Sequence, residues 1–179
     1  MRLVAFLRAI NVGGHVVTME VLRRQFAQLG FQDVETFIAS GNVIFSARSA
    51  GGAAIEKKIE TRLHNALGYE VKTFVRTDGE VAAIARYEPF TPAQIRTAKT
   101  VNVGFLAAPL GTAGRKALKS LESDLDDFQL HAREVYWLSR VSQGDSKMSN
   151  MVFERTVGAR VTFRGVKTVA KLVAKYAFA

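Results

Sequence analysis

The constraint that narrows this chain most is an order of elements that occurs twice. Val4-Ala5-Phe6-Leu7 and Val103-Gly104-Phe105-Leu106 agree at three of four positions, and each opens a run of strands and helices in the same succession. In the first run, Arg2–Ile10 reads as a strand in which Val4, Phe6 and Ile10 alternate with smaller or charged neighbours. Thr18 is placed to cap a helix through Leu29, with Met19, Leu22, Phe26 and Leu29 on one stripe and Gly30 just past its end. Val34–Ala39 and Asn42–Ala47 are rich in strand formers and join across Ser40-Gly41. Ala53–Leu67 reads as a second helix, with Ile55, Ile59, Leu63 and Leu67 at helical spacing and Gly68 as its stop, and Tyr69–Arg76 as a closing strand.

Thr77–Lys99 differs in character: a helical piece runs from Asp78 to about Tyr87, and Pro89 and Pro92 then break it. Beyond it the order returns. Val101–Leu106 reads as a strand, Thr112–Leu121 as a helix, Phe128–His131 and Glu134–Leu138 as a hairpin, Met148–Val157 as a helix and Arg160–Phe163 as a strand. A last amphipathic helix, Thr168–Tyr176, presents Val169, Leu172, Val173 and Tyr176. The expected class is therefore α+β: two tandem ferredoxin-like (βαββαβ) subdomains, 1–76 and 100–179, joined by a helical linker over 77–99, the second carrying the C-terminal helix.

Composition excludes several function classes. There is no cysteine, hence no disulfide framework, thiolate metal site or thiol nucleophile. No apolar run reaches the roughly 18 residues of a membrane span, and the opening Met1–Arg8 segment is too short and too soon charged for a secretory signal. A cytoplasmic protein without membrane partners is the expectation. His15, His64 and His131 lack metal-site spacing, and Glu122, Asp124, Asp126 and Asp127 lack the pattern of a calcium loop, so neither metal nor cofactor is expected. The formal charge is +9, and from Arg140 onward eight cations face only Asp145 and Glu154. Such a basic stripe attracts nucleic acid or phosphorylated small molecules.

The chemistry-bearing candidates cluster at two loops. Arg8-Ala9-Ile10-Asn11-Val12-Gly13-Gly14 lies between strand and helix, where adjacent glycines permit positive φ and turn backbone N–H groups toward an anion. It matches neither the dinucleotide fingerprint nor the Walker loop, and a turn that needs two glycines accounts for the same residues. Ser40-Gly41-Asn42 suits a tight hairpin, and Ser40 has no visible acid–base partner. Ser146-Lys147 before one helix, and Arg164 with Lys167 before another, supply cations near helix N-termini.

These residues resemble a known bacterial family, the domain-of-unknown-function family numbered sixteen-ninety-seven. The resemblance rests on Leu7-Arg8-Ala9-Ile10-Asn11-Val12-Gly13-Gly14, Met19, Ser40-Gly41-Asn42-Val43-Ile44-Phe45, Ser146-Lys147 and Thr162–Thr168. It implies tandem ferredoxin-like subdomains and no activity. Ala9 stands where the family pattern has Gly, Ala39 where it has Gln, and Gly165-Val166-Lys167 where it has Asn-Trp-Asn. A site built on that last block lacks its amide and stacking functions here.

The functional expectation is a small anionic or phosphorylated ligand in a cleft near Asn11–Gly14. Arg8, Asn11, Gly13, Gly14, Ser40, Gly41 and Asn42 would line it, with Lys147 and Arg164 contributed by the second half. No residue pair identifies a general base, so no catalytic residue or reaction is named. The alternative is a nucleic-acid-binding module on the basic surface, for which Phe37, Phe45 or Tyr136 would have to lie exposed on a sheet face.

Overall fold

The structure, a computed structural model, describes residues 1–11, 13–38, 41–49 and 51–179. The chain divides into one unit of Met1–Ala82 with Leu172–Ala179, and a second of Ala83–Lys171. The class is α+β. Among the described residues there are two four-stranded antiparallel sheets and seven helices, none long and apolar enough to cross a membrane.

The first unit runs β1 (Arg2–Leu7), α1 (Met19–Gln28), β2 (Gln32–Thr36), β3 (Asn42–Ser46), α2 (Gly52–Leu67) and β4 (Thr73–Thr77), with strand order β2-β3-β1-β4. Alternation along β1 sends Leu3, Ala5 and Leu7 to the face where Leu22 and Phe26 of α1 meet Ile59 and Leu63 of α2. Burying Phe26 completely stabilises the unit by about 3 kcal/mol. Thr18 caps α1 as its sequence position implies, its Oγ1 accepting from Val21 N–H at 3.2 Å. β4 is an edge strand, and α2 covers its outward N–H groups: Glu56 accepts from Val75 at 2.8 Å and Glu60 from Thr73 at 3.0 Å.

Two helices follow, α3 (Asp78–Arg86) and α4 (Pro92–Thr97). Pro92 was expected to break structure but starts a helix. At its first turn no N–H is needed, and Thr91 and Gln94 form a capping box with bonds of 3.3 and 2.9 Å.

The second unit contains β5 (Thr100–Phe105), α5 (Thr112–Lys119), β6 (Asp126–His131), β7 (Glu134–Ser139), α6 (Asn150–Val157) and β8 (Thr162–Gly165), ordered β6-β7-β5-β8. Its core gathers Leu106, Leu118, Phe128, Trp137, Phe153 and Val161. The edge device recurs, with Glu154 of α6 accepting from Val161 N–H at 3.0 Å beside β8. Asp126 and Asp127 belong to β6: Asp126 accepts from the Trp137 indole at 2.6 Å, and Asp127 pairs with Arg140 at 2.6 Å. No cluster of three or more metal-ligating side chains occurs among the described residues.

The last helix, α7 (Val166–Tyr176), was assigned by sequence to the second half, whereas Leu172–Ala179 groups with the first unit. Arg2 donates to Tyr176 O at 3.0 Å, the Tyr176 hydroxyl donates to Glu35 at 3.0 Å, and Phe37 meets the Tyr176 ring edge-on. Contacts across some 140 residues of sequence leave no local signal.

Candidate functional site: two strained loops of the first unit

Six of the nine residues singled out from sequence converge at one end of the first sheet. Arg8, Asn11, Gly13 and Gly14 lie on the loop between β1 and α1, and Gly41 and Asn42 end the loop between β2 and β3. Ser40 lies outside the described residues. The loops are tied at their bases. Leu7 N–H donates to Gly41 O at 2.8 Å, Phe37 N–H to Asn42 O at 3.0 Å, and the buried Asn42 amide to Phe37 O at 3.0 Å. Gly41 has φ of +77°, and a Cβ there would sit 3.0 Å from both Ile10 Cγ2 and Leu7 Cβ, so only glycine lets the loops close.

The first loop folds over on itself. Asn11 Oδ1 accepts from Val17 N–H at 2.8 Å, turning the chain toward α1. The Tyr69 hydroxyl donates to Ile10 O at 2.7 Å, and its ring stacks on His15 with centroids 4.1 Å apart. Desolvation raises the Tyr69 phenol above its ordinary 10.0. Arg8, half-buried, extends the sheet by donating its N–H to Lys72 O at 2.8 Å. Asn11 and Asn42 each make a bond that shapes its own loop. The His15–Tyr69 stack carried no sequence signal, because Tyr69 follows a helix stop far along the chain.

Two of the five left-handed non-glycine residues among the described residues lie in these loops. Ala9 and Ile38, neither glycine, hold φ of +59° and +46°, and Gly13 and Gly14 follow at +62° and +82°. Each non-glycine in this region costs on the order of 1 kcal/mol, which persists only where the surroundings over-determine it. Gly13 and Gly14 are exposed, and nothing lies within 4 Å of a Cβ on Gly14. Between the loops a crevice lined by Ile10, Val17, Met19 and Ile38 has about 10 Å³ of open space, enough for roughly one water. The Thr36 hydroxyl also lines it and has no hydrogen-bond partner among the described residues.

Lys147 and Arg164 belong to the second unit. Lys147 is exposed, just ahead of Ser149, whose hydroxyl caps α6 by accepting from Val152 N–H at 3.2 Å. Arg164 pairs with Val103 across the β5–β8 register and donates to Phe163 O and Thr162 Oγ1, each at 2.8 Å. Desolvation lowers its guanidinium from the ordinary arginine range to about 10. Arg76 holds the equivalent place opposite Val4 in the first unit and makes the same bond to its own preceding carbonyl at 2.9 Å. A feature shared by both units belongs to the repeat rather than to one site.

The rings required for base stacking are covered: Phe37 is 9% exposed and Phe45 and Tyr136 are 0%. Arg155, Arg160, Lys167, Lys171 and Lys175 are exposed, as a basic surface requires.

A repeated α+β unit with motif-bearing loops at one end defines a class that comparison with known proteins narrows. The chain belongs to the family described as Protein of unknown function (DUF1697), whose model matches residues 1–136 and so includes both loop motifs. Ser146-Lys147 and Thr162–Thr168 lie beyond the matched residues. The fold is similar to that of conserved bacterial protein SP0830 from Streptococcus pneumoniae, at 21% identity over 97% of each chain with a TM-score of 0.72. No curated protein matches the chain.

Proposed function

We propose that this protein binds a small anionic or phosphorylated ligand on the outer face of the Arg8–Gly14 loop. The observation that carries the reading is the strain: left-handed Ala9 and Ile38 flank an exposed diglycine in the two loops that the motifs mark. Consecutive left-handed residues turn successive N–H groups to one side, which suits an anion. Arg8 supplies charge, and His15, stacked on Tyr69, a polar ring on the same loop. The crevice beneath has only about 10 Å³ of open space, so the ligand sits on the loops rather than between them. The same proposal takes each unit as a ferredoxin-like subdomain, on the support of the shared orders β4-β1-β3-β2 and β8-β5-β7-β6. Nucleic-acid binding is reduced to phosphate contact with exposed cations, because the candidate stacking rings are covered.

Thermal-shift screening against nucleoside monophosphates and sugar phosphates, followed by calorimetry of the hits, tests the assignment. Arg8→Ala and Gly13→Ala are each expected to weaken the hits by about tenfold, the scale of one charge-assisted hydrogen bond. Hits whose affinity neither substitution changes place the ligand elsewhere and overturn the reading.

A further inference from the structure

A second basic feature lies on the first unit away from the motif loops. The outer face of α2 carries Lys57, Lys58, Thr61, Arg62 and Asn65, at the spacing that keeps residues on one side of a helix. With Leu29 at the end of α1 they line an open groove of about 440 Å³, within the size range of small-ligand sites. Among the described residues no acidic side chain lines it. The helix segregates its charges: the carboxylates of Glu56 and Glu60 serve the N–H groups of β4, and Glu60 also takes Lys72 at 2.7 Å.

The cations of the groove are held by neutral partners. Arg62 Nε donates to the Gln25 amide oxygen at 2.7 Å and its NH2 donates to that of Gln28. Lys58 donates to Leu29 O at 2.8 Å and lies 5.4 Å from the centroid of the Phe31 ring. Amide oxygens, a carbonyl and a ring orient these side chains without cancelling their charge. An anion arriving there meets positioned donors and displaces no carboxylate.

We propose that the groove between α1 and α2 is an anion site for a small phosphorylated molecule, separate from the diglycine loop. Arg62 provides the geometry and Lys57 and Lys58 the charge. Thr61 and Asn65 supply neutral hydrogen bonds to the rest of the ligand.

The test is calorimetric titration of the full chain with inorganic pyrophosphate. Saturable binding is expected that Arg62→Gln, and separately Lys57→Gln, weakens by about tenfold. Gln25→Leu with Gln28→Leu removes only the neutral orienting partners and is expected to weaken it less. Gly13→Ala is expected to leave the Arg62-dependent component of the binding unchanged, which separates this site from the loop. Circular dichroism of each variant checks that the fold is retained. Three results overturn the proposal: no saturation with pyrophosphate, equal affinity in the Arg62→Gln protein, or binding only to a single-stranded RNA or to anionic vesicles through these residues.

Discussion

The two units share strand order and the register of their central pairings, so position-by-position differences along β1 and β5 isolate what each has been adapted to do. Leu3, Ala5 and Leu7 of β1 correspond to Asn102, Gly104 and Leu106 at β5, since Leu3 faces Phe45 as Asn102 faces Trp137. In the first unit all three are apolar and fully buried. In the second, Asn102 is 4% exposed and its amide nitrogen has no hydrogen-bond partner among the described residues, nor has the Thr100 hydroxyl two residues earlier. The loops differ in the opposite sense. β6 and β7 are joined by a two-residue turn with one left-handed residue, Ala132, whereas the corresponding connection in the first unit is longer and holds Ile38 and Gly41. At these positions of the central strand one unit buries only apolar side chains under a longer hairpin loop, and the other buries an amide beside a tighter one. Strain placed at the surface leaves packing intact, while a polar group placed in the core lowers stability without altering the surface.

Exchanging the core residues tests this contrast most severely. Leu3→Asn is expected to destabilise the protein by about 3–5 kcal/mol, losing a buried aliphatic side chain and burying an amide. Asn102→Leu is expected to raise stability by about 1–2 kcal/mol by removing an unpartnered donor. Chemical denaturation measures both, and a loss at Asn102→Leu would show that the amide has a structural task.

Gly104 gives the next largest effect. A Cβ there would come within 2.6–2.8 Å of Phe163, Val135 and Val161, while its counterpart Ala5 already carries one. Gly104→Ala is expected to cost about 1–3 kcal/mol through overpacking. Unchanged stability would mean that the β5–β8 packing yields more readily than that of the first unit.

Tyr136 supplies a dependence on pH specific to the second unit. Burial first, then the nearby Glu134 and Tyr87, hold its phenol well above the ordinary 10.0. The folded protein therefore keeps a proton that the unfolded chain releases above that pH, so stability falls as pH rises beyond it. Denaturation midpoints measured at increasing alkaline pH are expected to fall less steeply in Tyr136→Phe. Parallel slopes for the two proteins would assign the alkaline loss to other groups.

The smallest expected effect is at Ala9, where φ is +59°. Ala9→Gly removes left-handed strain but restores freedom to the unfolded chain, for a net gain of about 0.5–1 kcal/mol. The same substitution at Ala132, φ +50°, gives an internal standard from the second unit. A larger gain at Ala9 would mark the first unit's loop as the more strained.

The resemblance places glycine where this chain has Ala9, and the left-handed backbone found there is one that favours glycine. Sequence alone could register the departure but not the angle. Likewise, Asn11 and Asn42 stand out in the sequence because each lies beside a glycine in a connection between elements. Their bonds to Val17 and Phe37 were not legible, since an asparagine that binds a ligand and one that shapes a loop have the same local sequence.

Sequence by itself determined most of the succession of elements within each half and the Thr18 cap, but not the short helix that Pro92 starts. Those properties rest on residues within about four positions of one another, where helical and strand periodicity act directly. Tertiary structure decided that Glu56 and Glu60 serve the edge of β4 while Arg62 meets the glutamines of α1, leaving one face of α2 with uncancelled cations. It also decided that the C-terminal residues group with the first unit. Which charge is neutralised depends on partners brought near by packing, and no periodicity along a chain records them.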